Sequence, residues 1–114
     1  MTQHASLGVE RWGRFDLDQQ ILMIANEMQR ASRLLGDRDR ASLDRCYERV
    51  LNLVDLTVTV QEKATLRREL LRWRDLIAAL YVAPASDRNM HREAFRCLLR
   101  FRPASSRQLA YLLE

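Results

Sequence analysis

The sequence predicts an all-α fold, and three observations carry that expectation. Apolar residues recur at steps of three and four through most of the chain, the spacing that stacks side chains along one side of an α-helix. Turn formers are scarce, with three Gly and two Pro in 114 residues, whereas all-β chains spend them roughly every 8–12 positions. Leu, Arg and Ala dominate, and all are good helix formers. A chain of this length suits one domain with one core and needs no metal or disulfide staple. Short links between four main helices imply an up-down-up-down four-helix bundle over residues 16–114 with a short additional C-terminal helix. An irregular N-terminal arm over residues 1–15 precedes it.

The arm has no clear period but contains Leu7, Val9, Trp12 and Phe15, too apolar a set for a disordered tail. It is expected to lie on the domain or on a neighbouring protomer, with His4 exposed. The first bundle helix spans about Asp16 to Leu35. Asp16 and Gln19 form a capping box, and Gly36 stands where a left-handed residue would close the helix. Leu17, Ile21, Ile24, Met28, Ala31 and Leu35 make an unbroken 4-3-4-3-4 series. Asp18, Gln20, Glu27, Gln29, Arg30 and Arg33 lie on the other faces and read as solvated.

A polar turn, Gly36 to Arg40, leads into a second helix over about residues 40–57. Leu43, Cys46, Tyr47, Val50, Leu53, Val54 and Thr57 form its wide apolar arc, with Asp44, Glu48 and Asp55 along one flank. Continuing that seam in phase would bury Arg68, so the chain is expected to break near Thr57-Val58-Thr59-Val60. The third helix then runs from about Thr59 to Val82 and forms the spine of the domain. Thr59 with Glu62 fits a capping box, Leu66, Leu70, Trp73, Ile77 and Leu80 form the inner face, and Pro84 supplies the stop. Asp87 is positioned to cap a fourth helix over about residues 88–101, with Met90, Ala94, Cys97, Leu98 and Phe101 inward. Pro103 ends it. Ser105 with Gln108 marks a last short helix bearing Leu109, Leu112 and Leu113, which must dock to persist.

Charge divides the chain. Residues 1–62 carry 8 Arg and 10 acids, for a net −2, while residues 63–114 carry 10 Arg, 1 Lys and 5 acids, for +6. The basic half contains an arginine ladder, Arg88, Arg92, Arg96 and Arg100, with Arg102 and Arg107 just beyond. Steps of four turn the ladder only about 40° each, so it winds slowly along the helix over about 18 Å. Like charges at that spacing repel by roughly 0.2–0.5 kcal/mol per pair, and Glu93 alone offsets them within the helix. The ladder reads as a solvated face, as a stripe paired with Asp44, Glu48 and Asp55 on a neighbouring helix or subunit, or as a site for the phosphates of a nucleic acid.

No motif assembles a catalytic or metal centre. The chain lacks Glu-x-x-His pairs, HExxH, paired CxxC, a Gly-rich phosphate loop and a GxSxG elbow. Cys46 and Cys97 both fall on expected apolar arcs, where thiols behave as small hydrophobes. No cofactor is implied. The longest apolar run, Leu76 to Ala83, is far too short for a bilayer span. The first 15 residues lack the apolar stretch of a secretory signal, and two isolated cysteines fit a reducing cytoplasm. The expectation is a non-enzymatic helical bundle acting through another protein or through self-association, a dimer first. Trp12, Phe15, Leu109, Leu112 and Leu113 are the candidate interface. The alternative is a nucleic-acid-binding or regulatory bundle that uses the ladder.

Overall fold

Among the described residues seven helices follow in order: α1 Gln3–Trp12, α2 Leu17–Ser32, α3 Arg40–Val60, α4 Ala64–Val82, α5 Arg88–Leu99, α6 Pro103–Ser106 and α7 Leu109–Leu112. The structure, a computed structural model, describes the backbone of residues 3–36 and 39–113, and the side chains from residue 8 onward within them. The turn residues Asp37 and Arg38 and the side chain of His4 therefore lie outside the described residues. No strand occurs among the described residues. The four long helices close a ring, with α2 on α3, α3 on α4, α4 on α5, and α5 back on α2. No helix is long and apolar enough to cross a membrane among the described residues.

α3 has the widest apolar arc and is the most enclosed helix, with α1, α2 and α4 all packed on it. All seven of its predicted inward residues, Leu43 through Thr57, are buried. On α2, Ile21, Ile24, Met28 and Ala31 are buried, and on α4 so are Leu70, Trp73, Ile77 and Leu80. Leu17, Leu35 and Leu66, the outermost members of these series, are half-buried. The Asp16 capping box forms, with Gln19 N donating to Asp16 Oδ1 at 2.8 Å and Asp16 N to Gln19 Oε1 at 2.9 Å.

Several boundaries differ from expectation. α2 stops at Ser32, where the chain tightens into Arg33 N–Arg30 O and Leu34 N–Ala31 O bonds. Gly36 adopts φ 121°, but it lies beyond the cap and donates its N–H to Ser86 Oγ at 3.2 Å. The break between α3 and α4 falls at Gln61–Lys63, immediately after the β-branched run that ends at Val60. Thr59 is inside α3, where its hydroxyl donates to Asp55 O at 2.8 Å, the back-bond that lets threonine persist in a helix. The Thr59/Glu62 capping box therefore does not form, and α4 begins at Ala64 with Lys63 at the N-cap and no side-chain cap. Arg40 closes the other end of α4. Its Nη2 donates to Leu80 O at 3.1 Å and Tyr81 O at 3.0 Å while Nε holds Asp44 Oδ1 at 2.8 Å, so a cation meets carbonyls that lack helical partners.

The N-terminal arm is the largest correction. It is helical on either side of a break at Gly8, whose φ 66° and ψ 162° only glycine adopts readily. Trp12 is buried in the domain core rather than offered to a partner. Its Nε1 donates to Thr57 Oγ1 at 3.0 Å, and Thr57 in turn donates to Leu53 O at 2.8 Å. Gln20, expected in solvent, is also buried; its Nε2 donates to the carbonyls of Trp12 and Phe15, each at 3.0 Å. A buried amide and hydroxyl stay only if bonded, and here both are spent fastening α1 to α2 and α3.

At the C-terminal end, α5 is rotated from the expected face. His91, Ala94, Phe95, Leu98 and Leu99 go inward, whereas Met90 and Cys97 are exposed and Phe101 is half-buried. At about 100° per residue, the centre of the buried face has moved by roughly 80°. Trp73 fixes this orientation by donating Nε1 to Ala94 O at 2.7 Å. Ser105 does not open the last helix. It is buried inside α6 with its hydroxyl on Leu99 O at 2.7 Å, and α6 starts at Pro103, a residue suited to a first helical turn.

Candidate functional site

The rotation of α5 decides where the arginine ladder points. Arg88 and Arg92 line a cleft with Gln29 and Ser32 of α2 and Leu112 and Leu113 at the C-terminal end. Arg100 lines a different groove, with Leu66 and Glu69 of α4 and Cys97 and Phe101. Arg96 stands between them and pairs with Glu93 at 3.3 Å. The expected single stripe thus leaves the α2 seam and winds across the back of α5 to the α4 seam. Arg102, beyond it, is tied to Asp18 at 2.7 Å.

The acidic stripe does not meet the ladder within the chain. Asp44 holds Arg40, Glu48 accepts from the Tyr81 hydroxyl at 2.8 Å, and Asp55 pairs with Arg74 at 2.6 Å. All three lie toward α4 rather than α5. The hydrogen bond from Tyr81 to Glu48 raises the pKa of the phenol, and Asp55 raises that of the Arg74 guanidinium. On the other side of α3, Glu27 of α2 is shared by Arg30 at 3.0 Å and Arg49 at 3.1 Å. The intramolecular compensation of the ladder by this stripe is therefore absent, and the reason is the side of α3 on which it sits.

His91 forms the inner wall of the first cleft. Its Nε2 is 3.2 Å from Met28 O and 3.0 Å from Ser32 Oγ, and its Nδ1 is 2.8 Å from the Tyr47 hydroxyl. A carbonyl only accepts, so these partners assign the ring proton to Nε2 and leave Nδ1 to accept from Tyr47. Ser32 donates to Met28 O at 2.9 Å. Burial pushes His91 down to about 4 and pushes the Tyr47 phenol up, so the ring is neutral and the hydroxyl protonated at neutral pH. Arg88 adds to the shift of the imidazole, while the Met28 carbonyl opposes it. Ser32, His91 and Tyr47 are in a row, yet the proton on Nε2 leaves no base facing Ser32. The row satisfies buried polar groups; it does not activate a nucleophile.

The other candidate interface residues are only partly available. Phe15, Leu109, Leu112 and Leu113 are half-buried and pack against the chain's own core. Both cysteines are free; Cys46 is buried, with its thiol pKa raised by burial, and Cys97 is exposed. Among the described residues no group of three His, Cys, Asp or Glu could hold a metal ion. Sequence reasoning missed Gln29, Ser32 and the cleft itself. Only their placement at i and i+3 on α2, next to Met28, hinted that they border a core position. No family model, curated protein or solved structure matches this chain.

Proposed function

We propose that this chain is a non-catalytic binding module that recognises an acidic, apolar-anchored segment of another protein through the α4–α5 face. The observation that carries this reading is the apolar strip left outside by α5. Met90, 40% exposed, shares a flank with Cys97 and Phe101, at spacings of seven and four. Beside them Leu66 and Phe101 flank a groove of about 370 Å³, with Arg100 at its rim. Leu76, also exposed, lies two turns from Glu69 on the adjoining flank of α4. Apolar anchors inside a polar rim are the usual makeup of a recognition patch. Arg100 lines the groove beside Glu69, while Arg72 and Arg96 pair with Glu69 and Glu93, which leaves Arg100 the groove cation without a carboxylate partner among the described residues. An acidic partner complements that charge, while a second copy presenting the same face would repel it. Free thiols at Cys46 and Cys97 suit a reducing, cytoplasmic setting.

A test uses an acidic amphipathic helical peptide, with Leu and Phe at i, i+3 and i+7 and Glu elsewhere. Micromolar binding that weakens with salt, spares a Lys-for-Glu control peptide and is lost in Met90→Glu and Cys97→Glu supports the reading. Both positions are exposed, so either variant keeps the core intact. Absence of binding by the wild-type chain at millimolar peptide would reject it. If light scattering instead shows a dimer that Cys97→Glu dissociates, a second copy is the occupant. The nucleic-acid alternative retains one supporting observation, that the ladder has no partner in the acidic stripe. Salt-sensitive retention of oligonucleotides, lost on replacing Arg96 and Arg100 by Gln, would favour it.

A further inference from the structure

We infer that the cleft between α2, α5 and the C-terminal turn of α7 binds a small organic carboxylate, the anion held by Arg88 and Arg92 and its apolar body by Leu35, Leu112 and Leu113. The cleft lies away from the α4–α5 face and does not depend on the function proposed for that face.

The size of the cleft sets the class of ligand. It is a partly open cleft of about 190 Å³, somewhat more than the roughly 150 Å³ closed cavity that accommodates benzene in a protein core. A body of one ring or a short branched chain fits, whereas a free inorganic anion would leave much of the apolar wall uncovered. The lining is divided by polarity. Leu35, Leu112 and Leu113 supply the apolar part, and Arg88 and Arg92 supply two cations one helical turn apart on α5.

The arginines have capacity to spare. Each guanidinium carries five N–H donors in a planar fork. Arg88 donates to Leu35 O at 3.4 Å, a long contact, and Arg92 to Leu113 O at 2.6 Å. Among the described residues neither is paired with a carboxylate. Both main-chain acceptors are neutral, so a carboxylate offers a stronger, charge-assisted and bidentate alternative. The Gln29 side chain makes no hydrogen bond to the described residues, and its amide provides a neutral donor at the wall.

The inner wall is rigid and already satisfied. Ser32 is bonded to Met28 O, and His91, almost wholly buried, is held between Tyr47 and Met28. A neutral imidazole with Nε2 committed to a carbonyl neither repels the anion nor competes for it. Affinity then rests on the two arginines, and selection for an apolar body rests on the leucines.

The experiment is a titration of the full chain with benzoate, followed by leucine-methyl NMR and calorimetry. Benzyl alcohol supplies the same ring without charge, and inorganic phosphate supplies charge without the ring. Saturable shifts at the methyls of Leu35, Leu112 and Leu113 are expected. Benzoate should bind at least about tenfold more tightly than either control. Arg88→Gln and Arg92→Gln should each weaken benzoate about tenfold, Arg92→Lys less, and circular dichroism should be unchanged because both side chains are exposed. Leu112→Ala should weaken benzoate without changing the weak phosphate response. Equal affinity for benzyl alcohol or phosphate, undiminished binding by the Arg88→Gln/Arg92→Gln double variant, or no saturable shift would overturn the inference.

Discussion

α3 is enclosed by α1, α2 and α4, whereas α5 packs chiefly on α2 and α4 and keeps its back to solvent. The consequence appears in their apolar residues. On α3 a single wide arc is covered by three neighbours, and its polar flanks are engaged in Arg40–Asp44, Arg49–Glu27 and Arg74–Asp55 pairs. On α5 the apolar residues extend round more than one face, and two neighbours cover only part of them. His91, Phe95 and Leu99 take the inside, leaving Met90 and Cys97 outside. The choice between the faces is made by partners. The inward face brings His91 to Tyr47 and Met28 and Ala94 O to Trp73 Nε1, satisfying polar atoms that the other rotation would strand.

The largest expected effects distinguish the two faces of α5 directly. Phe95→Ala should cost about 3–5 kcal/mol, the range for deleting a buried aromatic, while Met90→Ala and Cys97→Ser should stay within about half a kcal/mol. Trp12→Ala belongs with Phe95, since Trp12 is buried and bonded to Thr57. Chemical denaturation checks all four substitutions. Losses at Met90 and Cys97 that match the one at Phe95 would restore the face read from periodicity. A small loss at Trp12 would return the arm to the outside of the domain.

These comparisons also show how much was legible beforehand. The inner faces of α2, α3 and α4 were readable because charged residues bracket a single apolar series on each helix. Asp16 and Asp87 were readable as caps because a carboxylate before a helix meets the unpaired N–H groups of its first turn; the Met90 N–Asp87 Oδ1 bond is 2.9 Å. The face of α5 was not readable from period alone, because two apolar arcs compete and the decisive bonds come from Tyr47 and Trp73, 44 and 21 residues away. Trp12 and Gln20 were hidden for the same reason, as their partners lie across the fold. The ladder was visible as a run of arginines. Its division between two seams follows only once α5 is oriented.

A smaller effect, still specific to α5, is expected from pH. His91 is held at about 4 in the fold against an ordinary value near 6.5. As pH falls from 7, the unfolded chain takes up a proton on this ring while the folded chain does not. Stability should therefore decline between about pH 6.5 and 4 and flatten, for this group, below that window. Linkage sets the loss between pH 7 and pH 5 at about 2 kcal/mol. The measurement is unfolding free energy against pH for the wild type and for His91→Gln, which lacks the titrating ring. The variant should be less stable at pH 7, yet show a slope smaller by about that amount. Parallel curves would mean that His91 is hydrated and that the inward face of α5 is looser than its bonds imply.

The smallest effect separates the two polar surfaces flanking α3 and α5. Asp55 and Arg74 are joined by two bonds, at 2.6 and 3.3 Å, but both side chains are partly exposed. Such pairs contribute about 0.2–1 kcal/mol, and salt reduces the contribution. A double-mutant cycle with Asp55→Asn and Arg74→Gln should report a coupling in that range, lower at high salt. The same cycle between Asp55 and Arg96 should report none, because Arg96 instead pairs with Glu93 and the acidic stripe lies toward α4. Reversing the ladder to Glu should therefore not be rescued by reversing Asp44, Glu48 and Asp55 to Arg in a monomeric chain. Rescue that appears only as protein concentration rises would place the two stripes against each other between subunits. A coupling of Asp55 to Arg96 equal to that with Arg74 in the monomer would instead mean that α5 lies against the other side of α3, which would undo the assignment of both clefts.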